Sequence, residues 1–375
     1  MLKQIYPYFD NNATTPLHPR VLEVLNEYQS TYFANPSSVG HPSGMICNAL
    51  YKKNLQSIAD ILEVKESEII FTSGSTESIN TAIKGLYFQY GSQKNHIISC
   101  KTEHSAVLNT LKYLEEFHNA SITLLDVNQN VEINLEDLEK SITNRTLMVC
   151  LMAANNETGL IHPMEEIYQI TKKKKVLFFS DTTQIFGKTL MNKISADIFC
   201  GSAHKFYGPK GIGFLVIKGL GRKIFLPPLL HGGNQQSIRS GTLPLPLIHG
   251  MSTAFQIIYD NQQRCMVLLN ELRNYFESQL KAKLNIYIHS EKANRISNTS
   301  NILFSENDYE KILKAMNKFC FSRASACSDG SGQPSHVLSA MGFQKDEINR
   351  SFRFSFSIFN TKEEIDNFMK FIINS

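Results

Sequence analysis

Residues 197–217 read DIFCGSAHKFYGPKGIGFLVI: two short apolar runs, 197–200 and 214–217, flank a small, polar turn that carries Lys205. Continuous apolar runs of this kind suit strands covered on both faces. The same texture recurs upstream at residues 69–72, 96–99, 147–151 and 176–179, with helix-compatible sequence between the runs. Strands alternating with helices predict an α/β domain built on a mostly parallel central sheet between helices. In such a sheet ligands lie beyond the carboxyl ends of the strands, so the residues that follow each run are where chemistry is sought.

Composition narrows the classes. The 375 residues are 42% hydrophobic and 19% charged, an ordinary globular balance that excludes wholesale disorder and fibrous repeats. A net charge of +4 argues against a surface devoted to coating nucleic acid. The first residues lack the apolar stretch of a signal peptide, and no later run reaches the roughly 18 apolar residues of a membrane span, so a cytoplasmic protein with no membrane partner is expected. The seven cysteines are odd in number, scattered, and free of any Cys-x-x-Cys pair, which disfavours disulfides and structural zinc.

After Pro244 the texture changes to longer helical segments, such as that from Met266 to Leu280, a few short strands and a final helix. Thr361 and Glu364 are spaced to cap that helix, and Ile365, Phe368, Met369 and Ile372 give it one apolar stripe. A smaller α+β domain is expected here, formed by residues 256–375 together with residues 1–13, beside a large domain of residues 14–255. The run from Lys172 to Lys175 is read as the basic end of a helix rather than a nucleic-acid patch.

The strand ends are small and polar. After Phe71 comes Thr72-Ser73-Gly74-Ser75-Thr76-Glu77, either a helix-start cup for an anion such as phosphate or a plain N-cap. Thr102-Glu103-His104-Ser105 follows the second run, with His104 open to a structural or a catalytic role. Asn155-Asn156-Glu157-Thr158-Gly159 follows the next, able to orient a carboxylate or to cap a helix. Ser180-Asp181-Thr182-Thr183-Gln184 follows the fourth, and a buried aspartate there needs a cationic or hydrogen-bonding partner. With Lys205 at the neighbouring strand end, these are the parts a pyridoxal phosphate site needs. A lysine amine forms the Schiff base, an aspartate keeps the ring nitrogen protonated, and a helix start holds the phosphate.

From Tyr8-Phe9-Asp10-Asn11-Asn12-Ala13-Thr14-Thr15-Pro16 to Arg353, the chain resembles the cysteine desulfurases of the NifS/IscS-like group, class V aminotransferase-like enzymes of pyridoxal phosphate fold type I. The resemblance implies that Lys205 carries the cofactor, Asp181 pairs with its ring nitrogen, and Gln184 reaches its phenolic oxygen. It places Ser75, Thr76, Ser202 and His204 around the phosphate, and Thr242 of Arg239-Ser240-Gly241-Thr242 at the phosphate of the other subunit of a homodimer. His104 would stack on the ring and move protons; Asn156 and Arg353 would bind the substrate carboxylate.

The group's sulfur-accepting nucleophile maps to Cys327, in Ser325-Ala326-Cys327-Ser328-Asp329-Gly330-Ser331-Gly332. A Gly/Ser-rich setting independently makes it the cysteine best suited to exposure, and a mobile loop is expected around it. L-cysteine would yield L-alanine and a persulfide on Cys327, with the sulfur passed to an acceptor protein for iron–sulfur assembly or thiolation. Selenocysteine lyase or another class V lyase or aminotransferase is the enzymatic alternative, and a non-catalytic sulfur-carrier scaffold the other. Two departures stand out. Arg323 precedes the cysteine loop, and Ser357 and Ile358 replace the group's Gly-Arg after Arg353. The chain also ends at Ser375 without the extended tail that some relatives use to contact scaffold proteins, which leaves the acceptor open.

Overall fold

The computed structural model describes residues 5–191, 193–233, 235, 238–323 and 334–374. Two helices, α1 (Pro19–Ser30) and α2 (Pro42–Leu62), precede a seven-stranded sheet. Its strands are β1 (Ile69–Thr72), β2 (His96–Cys100), β3 (Ser121–Leu125), β4 (Thr146–Cys150), β5 (Leu177–Asp181), β6 (Ile198–Ser202) and β7 (Gly213–Ile217), in the spatial order β1-β7-β6-β5-β4-β2-β3. Pairing is parallel from β3 across to β6; β7 alone runs against its neighbours β6 and β1. The carboxyl ends of six strands therefore open onto one edge, and the turn between β6 and β7 crosses that edge beside the end of β1.

The apolar runs are buried on both sides because alternate residues feed two cores. Phe71, Val149, Phe178, Phe199, Phe214 and Val216 pack on one face with α1, α2 and α7 (Leu245–Asp260). Ile70, Met148, Phe179, Ile198, Leu215 and Ile217 pack on the other with α3 (Ser75–Tyr90) and α4 (Ser105–His118). β3 carries no such run: it is an edge strand with mostly exposed or half-buried residues, so its sequence gave little signal.

A third core lies under an antiparallel sheet of β8 (Ile286–Ile288), β9 (Thr299–Phe304) and β10 (Ser351–Ser355). Phe276 of α8 (Gln262–Lys283), Phe354, Phe368 and the N-terminal Phe9 interlock there, with Phe276–Phe354 ring centres 4.8 Å apart. Phe9 is brought in by its backbone N–H bond to Cys320 (2.7 Å) and by the Ser355 N–H bond to its carbonyl (2.7 Å). The position between residues 255 and 256 falls inside α7, whose Ile258 still packs on the large sheet. The closing helix, Lys362–Asn374, buries the expected stripe of Ile365, Phe368, Met369 and Ile372, and Thr361 and Glu364 cap one another reciprocally at 3.0 and 3.2 Å. Lys172 and Lys173 end the helix Met164–Lys173, where Lys173 and Lys174 pair with Glu139. Among the described residues no helix is long and apolar enough to cross a membrane.

Candidate active site

At the common edge of the large sheet lies a cavity of about 610 Å³. β6 ends in one 3₁₀ turn, Ala203–Lys205, followed by Phe206, whose ring is buried 4.4 Å from Phe255 and 5.6 Å from Phe186. That packing anchors the turn. Tyr207 adopts a left-handed φ of 67° and donates its N–H to the Thr15 hydroxyl at 2.7 Å, so the chain reverses toward β7. Lys205 Nζ consequently faces the cavity and donates to the carbonyls of Asn12 and Ala13 at 2.7 Å each.

Asp181 closes β5, in register with Cys200 of β6, and is buried at the cavity wall. Its Oδ1 accepts the Thr183 N–H at 2.9 Å. The Thr183 hydroxyl in turn lies 2.6 Å from that of Ser75, the first residue of α3, so the strand end and the helix start are tied together. Ser75 and Thr76 bring the unsatisfied N–H groups of a helix start to the cavity, and Ser202, His204 and Lys210 complete that wall. The one carboxylate in this first turn, Glu77, is offset. Burial alone would raise its pKa, but Arg239 holds it at 2.8 and 3.3 Å and Ser73 donates its N–H, so it is lowered. His204 is pushed down to about 4 by burial and by Lys205, Lys210 and Lys188, which makes it a neutral ring at pH 7; its Nδ1 sits 3.1 Å from the Thr14 hydroxyl.

His104 caps α4, its Nδ1 accepting the Ala106 N–H at 3.1 Å. Burial lowers its pKa, Asp181 opposes the shift, and Lys205 and His336 add to it, so the ring is neutral with its proton on Nε2. Gln184 also lines the cavity; its Nε2 donates to the Asn12 carbonyl at 3.1 Å and its Oε1 accepts from Lys188.

Arg353 reaches the same cavity from β10. It is 1% exposed, with Nη1 on the Asn156 carbonyl (3.1 Å), Nη2 on Asp10 Oδ1 (2.7 Å), and a buried Nε that has no partner. A buried guanidinium N–H without a partner is costly, and the planar fork of a cavity-lining arginine suits a carboxylate.

Ser75, Thr76, His104, Asn156, Asp181, Gln184, Ser202, His204, Lys205 and Arg353 thus meet around one cavity. Thr242 is exposed and lies apart from its lining. Cys327, and the loop expected to be mobile around it, lie outside the described residues. The flanks of that segment are fixed at the site: Ser322 and Arg353 exchange backbone hydrogen bonds at 3.2 and 2.7 Å, Ser335 Oγ donates to Glu157 Oε2 at 2.5 Å, and His336 Nε2 lies 2.9 Å from the Glu103 carbonyl. Ser357 does not open a gap where the group has glycine: it bonds to Asn360 Oδ1, and the Ile358 N–H donates to Tyr207. Three further residues at the site had no role assigned from sequence: Asn12, which receives Lys205 and Gln184; the buried Lys188; and Glu103. The only local signal for Lys188 was a lysine four residues after Gln184 in apolar surroundings.

The family model for aminotransferase class-V matches residues 7–368. Cysteine desulfurase IscS of Rickettsia bellii (strain OSU 85-389) is 39% identical over 369 residues, covering 97% of this chain and 90% of that protein. IscS of Rickettsia prowazekii (strain Madrid E) is 39% identical over 363 residues, with 96% and 88% covered. Among solved structures, a NifS-like protein superposes with a TM-score of 0.90 at 33% identity over 99% of each chain. A NifS-like protein from Rickettsia africae ESF-5 gives 0.86 at 29% identity, covering 99% of this chain and all of that one. SspA in complex with cysteine gives 0.84 at 33% identity, covering 95% of this chain and all of that one. With a lysine and an aspartate on adjacent strand ends of the same fold, and a match that spans nearly its whole length, this chain belongs to the aminotransferase class-V family.

Proposed function

We propose that the protein is a pyridoxal phosphate-dependent cysteine desulfurase, converting L-cysteine to L-alanine and a persulfide on Cys327. The observation that carries the reading is that Lys205 and Asp181 lie at the ends of neighbouring strands, facing one cavity that is also lined by an anion-favouring helix start and by Arg353. The residues fit the cofactor. Ser75, Thr76, Ser202 and His204 would hold its phosphate, Asp181 its ring nitrogen, Gln184 its phenolic oxygen and Lys205 its aldehyde carbon. Bound pyridoxal phosphate would supply an electron sink that labilises the substrate's Cα proton and activates its Cβ–S bond.

The remaining work falls to the chain itself. Arg353 and Asn156 orient the substrate carboxylate. The Lys205 amine takes the Cα proton as general base, and neutral His104, with its proton on Nε2, stands on the cavity wall to relay protons. The Cys327 thiolate receives the sulfur, and an acceptor protein then removes it from the persulfide. Thr242, exposed in the single chain, would complete the partner's phosphate site in a homodimer. The names of the relatives and the cysteine complex of SspA support this substrate.

The test is to supply pyridoxal phosphate and L-cysteine to the purified protein and to Cys327→Ser, following alanine and protein-bound persulfide. Alanine formation should collapse in Cys327→Ser while the cofactor absorbance persists. Undiminished turnover in that variant would remove Cys327 from the reaction.

A further inference from the structure

Lys188 is a lysine only 3% exposed whose Nζ donates to Gln184 Oε1 and, at 3.0 Å, to Asn12 Oδ1. Among the described residues no carboxylate lies within ion-pair distance of it, so its two known partners are neutral oxygens. Burial, with Lys205 and Arg353 nearby, pushes its pKa well below the ordinary lysine range, and an amine buried without a counter-ion calls for a reason.

The Lys188 amine donates to the Gln184 amide oxygen and the Asn12 carbonyl can only accept, so the Gln184 amide turns its oxygen to Lys188. Its NH₂ is thereby fixed on the opposite edge. One N–H goes to the Asn12 carbonyl, which also receives Lys205, and the other remains for the cavity. The Asn12 side chain is pinned as well, its oxygen held by Lys188 and Asn298 and its NH₂ by Thr299 at 2.8 Å and Asn156 at 3.1 Å.

We infer that Lys188 is a positioning residue that locks Gln184 as a hydrogen-bond donor to the cofactor, so lowering the proton affinity of the lysine–cofactor linkage. This rests on the pyridoxal phosphate reading above. A donor to the cofactor's phenolic oxygen stabilises its negative charge once the linkage loses its proton. The groups facing Lys188 electrostatically are Lys205, Arg353 and His204, while Asp181 and the Arg239-paired Glu77 are carboxylates in the same cavity wall.

The test is a pH titration of the visible absorbance band of the reconstituted protein, compared with Lys188→Met and Lys188→Gln. In both variants, which lack the amine that holds Gln184, the transition should move upward by about one pH unit. Gln184→Leu should give a comparable shift, and the double variant Gln184→Leu/Lys188→Met less than the sum of the two. A wild-type titration in either variant overturns the inference, and failure of both to fold makes Lys188 a structural residue and ends it equally. A wild-type protein that develops no visible band with pyridoxal phosphate would instead overturn the cofactor reading.

Discussion

Arg353 and Asp10 meet at 2.7 Å across 343 residues of chain, and their pairing leaves one buried guanidinium N–H, Nε, aimed at no protein atom. Asp10 thus holds Arg353 in place without using up its donors. Replacing Arg353 by Lys keeps the charge but loses the planar fork. KM for L-cysteine should rise about 10- to 100-fold, the loss of a charge-assisted hydrogen bond or two, while the cofactor absorbance is retained. Steady-state kinetics with the reconstituted variant check this; an unchanged KM would place the substrate carboxylate elsewhere.

Gly213 opens β7 where the sheet comes closest to the start of α3. A Cβ there would stand 2.6 Å from the Gly201 carbonyl oxygen and 2.6 Å from the Gly74 Cα, both backbone atoms with little freedom to move. Gly213→Ala should therefore destabilise by about 1–3 kcal/mol and push the Ser75–Thr76 turn outward. Calorimetry should show the lowered stability, and equilibrium titration with pyridoxal phosphate a weaker affinity.

Glu103 is 1% exposed, and burial raises its carboxyl from an ordinary 4.5 to about 8. Asp181 adds to the rise, against hydrogen bonds from Met152, at 2.5 Å, and His104. The folded state therefore holds a proton that the unfolded chain has lost between about pH 4.5 and 8. Stability from this group is full below 4.5 and is lost as pH rises to about 8. Urea unfolding of the cofactor-free protein should show a decline of about 1 kcal/mol from this group between pH 7 and 8.5. Glu103→Gln should flatten that decline; an equal slope in wild type and variant would show that the carboxyl is ionised in the fold.

The Glu77–Arg239 pair, about four-fifths buried on both sides, ties the first turn of α3 to the segment that presents Thr242. Arg239→Gln should cost about 1 kcal/mol and free a carboxylate beside the anion cup. A higher Kd for pyridoxal phosphate is the expected result. Inorganic phosphate should compete less well for the variant than for wild type.

Much of this molecule could be read locally. Apolar runs that face both cores, as in Phe214-Leu215-Val216-Ile217, declare buried strands because each residue must meet one core or the other. Thr361 and Glu364 declare a helix start, because their bonds span only three residues. Polar residues at strand ends are legible as neighbours in space because a parallel sheet brings strand ends to one edge, and Asp181, Ser202 and Lys205 line one cavity there.

Other features depended on tertiary structure. β7 runs antiparallel to its neighbours because the Lys205 turn is too short for a crossover helix, and β3 was hidden by an exposed edge. Asn12 and Lys188 are 176 residues apart, yet their contact helps set the orientation of Gln184. Sequence alone supplied the chemical groups and the local periods that bury or expose them. Which donor faces which acceptor across hundreds of residues was decided by packing, because a hydrogen bond depends on position in space and leaves no period in the chain.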